Sequence, residues 1–127
     1  MAPILIVYWR VKNYSLYEGV IFMKLNLNYE GFETNLVSQS SSLGGIQYMF
    51  RFKNHYGASV VKHDYSYGHE NDLWEIAVIK YSRDDEWHIT YNTDITNDVI
   101  GYLSDEEVRE ILKRISELNN DKKEKEI

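Results

Sequence analysis

Apolar and polar residues alternate along much of this chain with the two-residue period of half-buried β-strands. Over 20–29, Ile21, Met23, Leu25, Leu27 and Tyr29 share one side against Phe22, Lys24, Asn26 and Asn28. Over 46–53, Tyr48, Phe50 and Phe52 oppose Gln47, Met49, Arg51 and Lys53. Asn54-His55-Tyr56-Gly57 then offers turn residues, with Asn and Gly able to take positive φ, and Ala58–His63 is predicted as the partner strand. Leu73–Tyr81 is apolar on both faces, interrupted mainly by Glu75 and Lys80, as in a central strand covered on both sides. After a charged turn over Ser82–Glu86, Trp87, Ile89 and Tyr91 are expected to point inward, with His88, Thr90 and Asn92 outward. Ahead of these, Ile4–Val11 has the composition of a strand and Asn13–Gly19 that of a connection.

Two other stretches break the alternation. Glu30–Gly45 holds Gly31, Asn35, the serines Ser40 to Ser42 and Gly44-Gly45, which predicts a flexible exposed loop. At the other end, Ser104 and Glu107 have the spacing of a capping box, with Leu103 and Val108 placed as a hydrophobic staple. Val108, Ile111, Leu112, Ile115 and Leu118 then form one apolar stripe of a helix. The expected fold is α+β: an antiparallel β-meander of about four to six strands with one C-terminal amphipathic helix packed on the sheet. One domain over 1–118 is predicted, with 1–22 as an N-terminal extension or extra strand and 119–127 as a charged flexible tail.

Composition narrows the function classes. The 14 basic and 20 acidic residues give a net charge of −6. In the tail, Lys122, Lys123 and Lys125 balance Asp121, Glu124 and Glu126, so the folded part carries the whole charge. That argues against general nucleic-acid binding, which needs a basic footprint, and leaves open a basic protein partner or mimicry of nucleic acid by ordered carboxylates. The absence of cysteine removes disulfides, thiolate catalysis and cysteine metal sites. Pro3–Trp9 is too short for a signal-peptide core or a membrane span, so the expectation is a cytoplasmic protein without membrane contact. Eleven tyrosines suit both sheet faces and binding surfaces.

Candidate chemistry concentrates in the loop Asp64–Asp72, which holds Tyr65, Tyr67, His69, Glu70 and Asp72, with His63 at its entrance. The six-residue interval from His63 to His69 matches no standard ligand pair, so neither a metal nor a cofactor is assigned. No G-x-S-x-G, P-loop or H-E-x-x-H motif is present, and no catalytic residue is assigned. Asp94, Asn97 and Asp98 serve either as Asx turns between the last strand and the helix or, with Tyr65–His69, as a surface at one sheet end. Arg51, Lys53 and Lys62 lie on the first hairpin near Tyr48 and Tyr56, a combination able to hold a phosphate or a base.

Gly44-Gly45-Ile46-Gln47, Tyr56-Gly57-Ala58-Ser59-Val60-Val61, Ser66-Tyr67-Gly68, Leu73-Trp74-Glu75-Ile76-Ala77-Val78, Thr93 to Leu103 and Glu106-Glu107-Val108 stand in this order. With these segments the chain resembles small uncharacterised proteins of phages and prophages of Gram-positive bacteria. The resemblance runs over Met23–Leu118. It departs at Asp94-Ile95, where that pattern tends to read proline, and the first 22 residues have no counterpart. It implies an accessory protein of a mobile element and, in that context, an inhibitor of host defence. The leading expectation is therefore a non-enzymatic protein that binds a host defence protein or nuclease, of the anti-CRISPR or anti-nuclease type. Its contact residues are drawn from Arg51, Lys62, Tyr65, Tyr67, His69, Glu70, Asp72, Asp94 and Asp98. A sponge for a nucleotide immune signal, with Arg51, Lys62, Tyr67 and His69 at a homo-oligomer interface, is the alternative, followed by a structural or replication accessory protein.

Overall fold

Strand pairing turns the alternating pattern into a meander. The computed structural model describes residues 26–119 and, ahead of them, the backbone of three short strands. The larger sheet takes β4 (Leu36–Ser42), β5 (Gly45–Arg51), β6 (Tyr56–Lys62), β7 (Trp74–Tyr81) and β8 (Trp87–Ile89) in that spatial order. A further strand, β9 (Ile100–Leu103), also pairs with β7, along the half that β8 leaves open. All these pairings are antiparallel. The helix α1 (Asp105–Ser116) packs on the sheet, and the α+β architecture is as expected.

One face of the sheet carries Tyr48, Phe50, Ala58, Val60, Trp74, Ile76 and Val78, and α1 covers it with Val108, Ile111, Leu112 and Ile115. The other face buries Met49, Ile79 and Tyr81 as a second, smaller cluster. The capping box is formed in full: Ser104 Oγ accepts from Glu107 N–H at 3.1 Å and Glu107 Oε1 accepts from Ser104 N–H at 2.9 Å. Asn54, in the β5–β6 turn, donates from Nδ2 to the carbonyls of Ile115 and Leu118 at the far helix end. The turn residue with positive φ is His55, while Gly57 is already paired within β6.

Several expectations need correction. The serine-rich stretch is not a loop: Leu36–Ser42 is the edge strand β4, joined to β5 by the two-residue turn Leu43-Gly44 with φ of 43° and 84°. An edge strand pairs on one side only and need not bury its side chains, so it lacks the apolar alternation by which inner strands are recognised. Trp87, Ile89 and Tyr91 are exposed and Thr90 is buried, against the orientation predicted for them, while His88 is exposed as expected. The segment before the helix ends in β9 and not in turns alone.

At the N-terminal end, β1 (Trp9–Val11), β2 (Tyr14–Tyr17) and β3 (Val20–Met23) form a separate antiparallel sheet. A strand thus occupies most of the connection expected over Asn13–Gly19. Of the strand predicted over 20–29, Val20–Met23 forms β3, residues 24 and 25 lie outside the described residues, and residues 26–29 are not in a strand. Residues 26–29 turn instead onto the helix start, where Asn28 N–H donates to Asp105 Oδ2 and Arg109 Nη1 donates to Asn28 O. Residues 1–8 and 120–127, which include the start of the Ile4–Val11 strand and the charged tail beyond Asn119, lie outside the described residues.

Candidate functional site

The β6–β7 loop folds on a buried serine. Ser66 Oγ accepts from His63 N–H and donates to His63 O, both at 3.0 Å, and Ser66 O lies 2.8 Å from His69 Nδ1. Tyr65 N–H donates to His63 Nδ1, which turns the two rings edge to face. With Ser66 inward, its neighbours Tyr65 and Tyr67 are turned out, 77% and 60% exposed. Gly68 follows with φ 99°, and its carbonyl accepts from both Asn71 and Leu73. These bonds fix the backbone of a loop that carries its aromatic rings into solvent.

The loop is also tied to the sheet. Tyr67 N–H donates to Glu75 Oε1 at 2.8 Å, which explains a carboxylate on an otherwise apolar strand. Tyr67 O accepts from Tyr102 N–H of β9 at 3.1 Å. Two glycines permit this approach. A Cβ on Gly101 would stand 2.4 Å from Tyr67 Cβ, and one on Gly68 would stand 2.9 Å from Tyr102 backbone atoms. Tyr102 is 57% exposed and takes φ 59°, a conformation uncommon for a bulky side chain. The sequence places Tyr102 in a segment read as turns; its one signal is the Gly-Tyr pair before the helix cap.

Beneath the loop, Lys62 Nζ and Asp72 Oδ1 meet at 2.5 Å with both side chains almost fully buried. The ammonium also lies 4.3 Å from the ring centroid of Trp74. Trp74 in turn donates from Nε1 to Asp105 Oδ1 at 2.7 Å and packs edge-on against Tyr48. Lys62 and Asp72 therefore hold the loop onto the core and offer no surface for a partner. Asp72, at φ 60°, closes the short helical turn His69–Asn71.

The remaining candidates do not converge. Arg51 projects from the face opposite Lys62 and from the other end of the hairpin, because Arg51 pairs with Gly57 while Lys62 pairs with Ile46. It binds Asp85 at 2.5 Å and lies over the Tyr81 ring, at 4.5 Å from its centroid. Asp94 and Asp98 are exposed on the β8–β9 connection, Asp98 two residues before β9. Asp98 Oδ1 accepts from Val99 N–H, and Thr96 Oγ1 accepts from Asp98 N–H, the local bonds of a turn. His69 and Glu70 stay beside the tyrosines, half-buried and exposed respectively. Among the described residues no group of His, Asp or Glu is arranged to hold a metal ion, and no helix is long and apolar enough to cross a membrane.

The site is thus a tyrosine edge of Tyr65, Tyr67 and Tyr102, flanked by His69 and Glu70 and braced by a buried ion pair. No family model matches the chain, and no curated protein or solved structure is significantly similar to it.

Proposed function

We propose that this chain is a phage accessory protein that binds and blocks a host defence protein through the tyrosine edge. The target is a nuclease with a basic groove, in the cytoplasm of the bacterial host. Support comes from Tyr65, Tyr67 and Tyr102, which stand exposed on a backbone fixed by hydrogen bonds and close glycine contacts. A tyrosine ring held in advance loses little entropy on binding and gives a large apolar contact with a polar tip. The net charge of −6 steers the protein toward basic surfaces. The separation of Arg51 from Lys62, and the burial of Lys62, leave a nucleotide pocket built on both without support.

The test is binding and inhibition of purified CRISPR effector nucleases by the full chain, beside Tyr67→Ala and Tyr102→Ala. A complex is expected to co-elute with loss of cleavage, and each substitution is expected to weaken it on the order of thirtyfold. Failure to bind any effector, or binding that both substitutions leave unchanged, overturns the reading.

A further inference from the structure

The two edges of the larger sheet are built differently. At one edge, β8 has three residues and follows Asp84, Asp85 and Glu86, charges that discourage pairing with another strand. At the other, β4 runs for seven residues, five of them exposed, and among the described residues it pairs only with β5. From Thr34 to Phe50 there is no Asp, Glu, Lys, Arg, His or Pro. The bulge between Leu36 and Ser38 leaves the ladder from Ser38 to Ser42 regular.

We infer that β4 is the seam of a homodimer, pairing antiparallel with β4 of a second copy about a two-fold axis at Ser40. The order of residues is self-complementary about that position. Ser38 meets the partner's Ser42, Gln39 meets the partner's Ser41, and small hydroxyls and an amide face one another across the seam. Val37 and Leu43, 57% and 60% exposed, stand three residues either side of Ser40, one in the bulge and one in the turn that bound the regular ladder.

Backbone polarity agrees with this register. Ser42 and Gly45 close a two-residue hairpin, so Ser42, Ser40 and Ser38 direct their N–H and C=O groups toward β5. Those of Gln39 and Ser41 point to the open side and form a mutually bonded pair across the axis. Electrostatics selects the occupant as well. Two copies each carrying −6 approach most easily along a strand without charge, and β4 carries none between Leu36 and Ser42, the carboxylates of Glu33 and Asp64 standing beyond its two ends. A seam of one strand pair is small, below the roughly 1,200 Å² of a stable interface, so the dimer is weak and concentration-dependent.

This inference is independent of the tyrosine edge, which lies at the loop between β6 and β7. Sedimentation velocity of the full chain over a wide concentration range tests it, with Ser40→Lys and Gln39→Pro as variants. The wild-type sedimentation coefficient is expected to rise toward that of a dimer. Ser40→Lys sets two cations against each other at the axis, Gln39→Pro removes an outward N–H, and each is expected to weaken association about tenfold or more. In hydrogen exchange, the Gln39 and Ser41 amides are expected to gain protection as wild-type concentration rises. A wild-type chain that stays monomeric throughout, a dimer equally strong in Ser40→Lys, or amides protected only by another protein would each overturn it.

Discussion

Lys62 Nζ and Asp72 Oδ1 form an ion pair at 2.5 Å inside the protein, and the second oxygen of Asp72 has no hydrogen-bond partner. A buried pair of this kind adds little net stability over an apolar substitute, yet removing one partner strands a charge. Lys62→Met is expected to destabilise the fold on the order of 3–5 kcal/mol, because the Asp72 carboxylate is left without its cation. Adding Asp72→Asn, which keeps a residue tolerant of the φ of 60° found there, is expected to recover most of that loss. Urea unfolding of the two single variants and the double variant gives the coupling. A double variant as unstable as Lys62→Met would show that the pair is not the source of the effect.

The helix depends on contacts at both ends. Ser104→Ala removes the acceptor for Glu107 N–H and is expected to cost about 1 kcal/mol. Asn54→Ala removes two donors from the C-terminal carbonyls, together with the Oδ1 that accepts Tyr56 N–H. Its expected cost is larger, about 2 kcal/mol, since carbonyls and an amide lose partners at once. The measurement is the thermal or urea midpoint of each variant. Equal midpoints would remove Asn54 from any role as a tertiary helix cap.

Local chemistry made some of this legible in the sequence. Ser104-x-x-Glu107 and the stripe Val108, Ile111, Leu112 and Ile115 are short-range signals, and the helix forms where they place it. The strands β5, β6 and β7 announce themselves because they lie in the sheet interior and carry apolar residues on buried faces. β4 was hidden because its pairing needs only a neighbour, not an apolar side chain of its own. Trp87 and Ile89 mislead for the opposite reason: their alternation is real, but β8 lies at an edge where both remain exposed. At the candidate site, Tyr65, Tyr67 and His69 were visible as an unusual loop composition. The role of Tyr102 depends on β9 lying beside that loop, a contact across 35 residues of chain that no local pattern encodes. Lys62 and Asp72 look like surface groups in the sequence because a charged residue is seldom fully buried; only their pairing makes burial tolerable.

Burial of two phenols makes stability depend on pH in the alkaline range. Loss of hydration raises the phenol pKa of Tyr48 and Tyr81 above the ordinary value of 10.0, and the cation of Arg51 offsets this only in part at Tyr81. Above that value the unfolded chain releases these protons while the folded chain keeps them, so the unfolded state gains. Stability from the buried phenols is complete below pH 10.0 and is lost as pH rises toward the folded pKa values. Each group contributes a slope of up to about 1.4 kcal/mol per pH unit. Tyr81→Phe, which gives up only a long bond of 3.4 Å to Phe50 O, is expected to flatten the decline with little effect at neutral pH. Urea midpoints followed through the alkaline range would show an unchanged slope if Tyr81 were not involved.

The most local test of the tyrosine edge is a single methyl group. Gly101→Ala places a Cβ where Tyr67 Cβ stands only 2.4 Å away, with Tyr67 O at 3.0 Å. Neither atom is the free end of a flexible chain, so either the loop or β9 must move. The bond from Tyr102 N–H to Tyr67 O is the first to break, since it crosses the same contact. The core beneath retains Lys62, Asp72 and Trp74 and is expected to stay folded, with a loss of about 1–3 kcal/mol from overpacking. Hydrogen exchange is expected to quicken at the Tyr67 and Tyr102 amides while the amides of β5 and β6 keep their protection. Exchange that rose equally across the sheet would make Gly101 a residue of the fold alone, and unchanged exchange at Tyr102 would deny the contact between the two tyrosines.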